Sequence, residues 1–189
     1  MTKSASSPSW PEDKNPVIID DINSHFIFVY HRDIFDGKVY TTYQGRRLTN
    51  GEVLEFWGKW IILGEKSWLD ELARNLDPYV EKEQIPCIKY DRKPPENLGL
   101  EECVMMIYCD KRASEEIWQI LNRQGVKLKA WVSERETMEM WRPGGMLLER
   151  WIVSNGLSET EARSVRADAQ SKLGSVFDHP DELFQPWAQ

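Results

Sequence analysis

Cysteine and histidine are scarce: three of each in 189 residues. Three cysteines make no disulfide framework in a chain this long. If Cys103 and Cys109 end one strand, they lie about 20 Å apart at 3.3 Å per residue, and a bridge needs Cα atoms within about 7 Å. A reducing cytoplasm is the expected compartment. His25 and His31, six apart on a strand, are separated by the same roughly 20 Å and cannot share an ion. His179 could join one of them, but a single pair with one member in the tail is a weak ligand set and no zinc- or iron-type spacing exists, so no metal ligand is assigned. No apolar run approaches the roughly 20 residues of a membrane helix. The start, Met1 to Pro8, lacks the apolar stretch of a signal peptide. Missing too are a glycine-rich phosphate loop and a Gly-x-Ser-x-Gly nucleophile turn, so neither a cofactor nor a catalytic residue is assigned. Positive charge is the minority, with a net charge of −7, which disfavours duplex DNA and anionic membrane as partners.

What is abundant is tryptophan, with nine copies, in a chain 41% hydrophobic and 29% charged. That composition belongs to a globular fold, and the length favours one domain. Size scaling buries about 70% of the chain's surface, enough for a core without staples. Residues 1–16 mix Ser, Pro and charge and read as a mobile lead-in. Residues 17–156 read as one α+β domain, and 157–189 as a polar C-terminal helix and tail.

The short β-rich run His25–His31 predicts a strand. Asp36-Gly37 is a turn signal, and Lys38–Tyr43 alternates as a second strand, which suggests a hairpin. After a break at Asn50-Gly51 comes a third strand, Trp57–Leu63. Ser67 can cap a helix whose face carries Trp68, Leu69, Leu72, Ala73 and Leu76; Pro78 ends or restarts it. Strands follow at Pro86–Asp91 and Cys103–Cys109, the latter apolar on both faces and therefore central. Cys87, at a strand start, is the most accessible thiol by position, whereas Cys103 and Cys109 read as inert core. Ser114 caps a second helix with Ile117, Trp118, Ile120 and Leu121 as its buried stripe, and Gly125 suits the left-handed residue after it. Lys127–Ser133 is a further strand. A helix is predicted around Met146–Val153, and a polar one over Ser158–Leu173, where Ser158 and Glu161 make a capping box.

From Trp57 onward the order is strand, helix, strand, strand, helix, strand. This is the split βαβ arrangement, a mostly antiparallel sheet with both helices on one face. An N-terminal hairpin extends it.

Several of these residues also carry a resemblance. Trp57-Gly58-Lys59-Trp60-Ile61-Ile62 precedes an amphipathic helix and a short strand; then come the apolar strand Val104–Tyr108, Asp110, and the helix Glu115–Gln124 ending in Gly125-Val126-Lys127. Over residues 53–133 the chain resembles the family of the basophilic-leukaemia-expressed protein, whose fold is similar to the cap-binding translation initiation factor 4E. The resemblance implies a curved antiparallel sheet backed by helices; the ferredoxin-like split βαβ with an added hairpin is the alternative. Cap-binding factors hold a methylated guanine between two Trp rings beside an acidic residue and basic phosphate contacts. None of those positions has a matching motif here, so none is carried over.

Within Lys127–Ser133, alternation puts Val126, Leu128, Ala130 and Val132 on a core face and Lys127, Lys129, Trp131 and Ser133 on the other. Two ammonium groups beside an indole suit an anionic, ring-bearing ligand. A solvated edge strand protected by lysines has the same pattern. Trp141 and Arg142 lie just downstream. Trp57 and Lys59 share a strand face opposite Trp60, so one of these two tryptophans is expected to be exposed; Trp60, Trp68, Trp118 and Trp151 read as packing. The resulting expectation is a non-catalytic binding protein for a nucleotide-like or RNA-end ligand on the concave sheet face, through Trp57, Lys59, Lys127, Lys129, Trp131, Trp141 and Arg142. The alternatives are an interaction protein that engages a partner through its C-terminal helix and its tail, which carries Trp187, and an enzyme without a readable motif.

Overall fold

The computed structural model describes residues 17–21 and 24–186; the lead-in 1–16, with Trp10, and Trp187 lie outside them. Among the described residues, eight strands and six helices form an α+β fold. The strands are β1 (Val17–Ile19), β2 (Phe26–Tyr30), β3 (Thr42–Tyr43), β4 (Arg46–Arg47), β5 (Trp57–Gly64), β6 (Cys87–Asp91), β7 (Cys103–Asp110) and β8 (Trp131–Ser133). The helices are α1 (Asn50–Phe56), α2 (Lys66–Glu81), α3 (Ser114–Arg123), α4 (Glu134–Met140), α5 (Met146–Ser154) and α6 (Glu159–Asp178). Six strands form one antiparallel sheet in the order β1-β2-β6-β7-β5-β8, and β3 and β4 pair separately.

The order β6-β7-β5-β8 follows from the split βαβ connectivity read from the sequence, since each helix crossover skips one strand position. β7 is central, paired with β5 along its whole length and with β6 over half of it, as its apolar faces predicted. The α3 stripe Ile117, Trp118, Ile120 and Leu121 is buried, and Gly125 adopts φ +93° at the helix end.

The N-terminal extension differs from the expectation. β2 pairs with β1 and β6, not with Lys38–Tyr43. A single turn of 3-10 helix over Arg32–Asp36 ends at Gly37 in the left-handed region, so the chain leaves the sheet there instead of folding back. Asn50-Gly51 is no break: Thr49 and Glu52 make a reciprocal capping box that starts α1. α4, which the sequence reading did not include, opens with the same device between Ser133 and Glu136. Two cap assignments shift, with Glu65 preceding α2 and Ser114 lying inside α3. α2 continues through Pro78 to Glu81; so near the helix end, the missing proline N–H disturbs little.

Helices occupy both sides of the sheet. α2 and α3 cover one face and build the main core with Val29, Trp60, Ile62, Ile88, Met105 and Ile107. On the opposite face, Trp57 packs with Val53 and Leu54 of α1, Met138 of α4, and Leu173 and Val176 of α6. The one-sided arrangement is thereby corrected, because Trp57 and Tyr108 point away from α2 and α3 and need apolar cover of their own. The C-terminal tail completes that cover. Asn50 and Gly51 amides donate to the Glu182 and Pro180 carbonyls, Asn50 Nδ2 donates to His179, and Phe184 N donates to Leu48. Phe184 is 5% exposed. Among the described residues no helix is long and apolar enough to cross a membrane.

Candidate functional site

The seven residues singled out in the sequence do not converge. Trp57 and Trp60 are both buried, on opposite faces, so neither is the exposed ring expected of the pair. Lys59 is 4% exposed; its ammonium donates to Glu134 Oε2 at 2.7 Å and Thr137 Oγ1 at 2.8 Å. Trp131 pairs directly with Trp60 across β5 and β8, and their rings meet edge to face at 5.2 Å on the side of α2 and α3. Within β8 the register is therefore the reverse of the one read from alternation, whereas Val126, placed on the core face, is buried there. Leu128, assigned to the core face, is 66% exposed, and residues 127–130 lie outside the strand. Gly58 gives the reason: the ring of Trp131 lies where a Cβ at that position would stand, so the indole fills a notch in β5.

The cations disperse likewise. Lys129 pairs with Glu115 at 2.6 Å and lies 5.6 Å from the Trp118 ring centre. Lys127 is exposed. Arg142 lies 4.8 Å over Phe177, and Trp141 is wedged between the Trp57 cluster and the α5–α6 contact. Trp57 and Lys59 share one sheet face, and Trp141 and Arg142 lie at the edge of the cluster that covers Trp57. Trp68 is less enclosed than its helical position implied, at 36% exposed, with its ring over Gly64. Cys87 is buried, and burial pushes its thiol well above the usual range; its strand start is covered from both faces.

The face carrying Trp57 and Lys59 does assemble a different site. Register places its side chains in rows across β2, β6, β7 and β5. The row Tyr30, Cys87, Tyr108 and Lys59 is covered by the packing just described, with three of its four members buried. The next row, Phe28, Lys89, Met106 and Ile61, is mostly half-buried. The last row opens further, with Phe26 and Val104 half-buried and Leu63 41% exposed. Half of this face is therefore closed and half is open.

Lys89 stands at the boundary. Its ammonium lies 3.8 Å from the Phe26 ring centre and 5.6 Å from that of Phe28. Among the described residues it makes no ion pair and no hydrogen bond. Burial lowers its pKa, and repulsion from Lys59 acts in the same direction. Asp91, two residues along, accepts from the Val104 amide at 2.8 Å and does not pair with it. Tyr108 lies on this face beneath the Lys59 ammonium, 5.2 Å away, and burial, followed by the Glu134 charge, holds its hydroxyl neutral. A partly dry ammonium over aromatic rings, with no hydrogen bond among the described residues, has donors free for an anionic acceptor. Met106 and Ile61, farther along the same row, offer an apolar floor for a flat group.

The sequence held a signal for Lys89. It alternates with Ile88 and Tyr90, which places it on one face of a strand, yet which neighbouring rings it meets depends on β2 pairing beside β6. No family model, curated protein or solved structure matches the chain.

Proposed function

We propose that this chain is a non-catalytic binding protein for an anionic, ring-bearing ligand of the nucleotide kind, or an RNA end, taken on the open half of the sheet face within an initiation factor 4E-like fold. One observation supports the reading: the half-buried Lys89 ammonium has two phenyl rings beside it and no acceptor among the described residues. A phosphate there would make a charge-assisted hydrogen bond in a site of reduced dielectric. A base would lie against Met106 and Ile61, with Phe26 at its edge. Lys59 is spent on Glu134 and contributes only its field. With a net charge of −7, the chain repels anions on average, so this local positive region must dominate at the site.

The partner reading through the C-terminal helix and tail has less support, because Leu173, Val176 and Phe184 are buried against α1 and α4.

Calorimetric titration with guanosine monophosphate and its 7-methyl analogue tests the proposal. Lys89→Ala is expected to weaken binding about tenfold or more, the loss of one hydrogen bond to a charged group, while Lys127→Ala leaves it unchanged. Absence of binding by either probe, or equal losses at both lysines, would sink it.

A further inference from the structure

A cavity lies at the closed end of that face, lined by Tyr30 but not by Lys89. A cleft of about 830 Å³ opens at the end of the sheet, where β2 and β7 finish. The segment 31–45 forms one wall, and Val80, Ile85, Ile117 and Ile120 form the apolar back. The size and the apolar depth suit a small organic molecule.

Its charges can be accounted for one at a time. Asp110 is held by Arg112, which donates to both carboxylate oxygens at 2.8 and 2.7 Å. Arg47 donates to the Phe184 carbonyl at 2.9 Å and to Gln185 at 3.3 Å. Lys38 is clamped at the mouth, contacting Glu83 and lying 3.6 Å from Asp33. His31 Nδ1 is 3.4 Å from Asp33 and 3.9 Å from Glu83. Glu116 lines the cleft and has no ion pair or hydrogen bond among the described residues. The rings of Tyr30, Tyr40 and Tyr43 line it as well; neither Tyr30 nor Tyr40 hydroxyl has a hydrogen bond among the described residues. The mouth thus carries more carboxylate than cation, and one of its cations is an ammonium on the end of a flexible chain.

We propose that this cleft binds an organic amine with an aromatic body. The body would lie against Ile85, Ile117 and Ile120. The ammonium would sit at the carboxylate mouth, where Glu116 is unspent and tyrosine faces attract cations. Lys38 shows what the mouth accepts: its own ammonium is stabilised there, first by its hydrogen bond to Glu83. A ligand amine competes with Lys38 for that position. The carboxylates and His31 would also admit a divalent metal, since their ligand atoms lie within 4.8 Å of one another; the resident ammonium and the apolar depth favour the amine.

Tyramine is the probe, and 4-hydroxyphenylacetate is its oppositely charged counterpart. Calorimetry is expected to show saturable tyramine binding and none of the acid. Lys38→Ala should tighten tyramine binding about two- to fivefold, and the exposed Glu116→Gln should weaken it by a similar factor, the range of partly solvated ion pairs. Lys89→Ala should leave it unchanged, which separates this site from the face above. No tyramine binding by the wild type or by Lys38→Ala would overturn the proposal, as would equal binding of the acid. So would a zinc response lost in His31→Ala with no amine response.

Discussion

Lys59 on β5 and Glu134 on α4 form an ion pair with side chains 5% and 13% exposed. The pair joins residues 75 positions apart and fixes α4 over the sheet. Removing one member strands the other charge in a dry site. Lys59→Ala should therefore cost about 3–5 kcal/mol, measured by urea unfolding, while Lys59→Met with Glu134→Leu should recover much of it. A single-variant loss under 1 kcal/mol would show that water reaches Glu134.

Leu72 and Ile120 are 2% and 6% exposed in the main core. Leu72→Ala and Ile120→Ala should each cost about 2–5 kcal/mol by thermal or urea unfolding. A negligible loss at either site would mean that α2 or α3 does not pack as described.

Trp131 contributes to stability through Trp60. Trp131→Ala should cost about 2 kcal/mol, below the value for a fully buried ring, because the indole is half-buried. Nucleotide affinity should be unaffected by this change. A loss of affinity at unchanged stability would return Trp131 to a binding surface.

Asp77 on α2 gives stability a pH dependence. Its Oδ1 is buried without a hydrogen-bond partner among the described residues, and burial pushes its pKa up to about 6. An unfolded aspartate titrates near 3.9. Folding thus favours the protonated form, so this contribution is fully present below the unfolded value and is lost as pH rises through about 6. Asp77→Asn should raise the melting temperature at pH 7.5, with the gain fading as pH falls below about 6. A pH-independent shift would assign the effect to something other than titration.

How far the sequence reached depends on how local the determining interaction is. The buried stripe of α3 and the capping box of α6 are set within a single turn, and both were legible. The register of Lys127–Ser133 was not, because alternation allows two registers one residue apart, and the notch at Gly58 on another strand decides between them. Likewise, a lysine between Gly58 and Trp60 reads as exposed until Glu134 is known to lie beside it. Both key features of the candidate site were non-local. Phe26 reaches Lys89 only because β2 joins the sheet beside β6, a pairing that the expected hairpin would have displaced.

The two cores also differ in when they can close. Every member of the main core from Ile27 to Val126 is present once the chain has been made as far as Val126. The cluster around Trp57 needs Leu173, Val176 and Phe184, which a ribosome delivers almost 50 residues or more later. Until those residues have been made, nothing in the chain can supply that part of the cover over Trp57 and Leu54. The segment after α6 closes that cover, and the bonds from Asn50 and Gly51 to its carbonyls tie residues 179–182 to the start of α1.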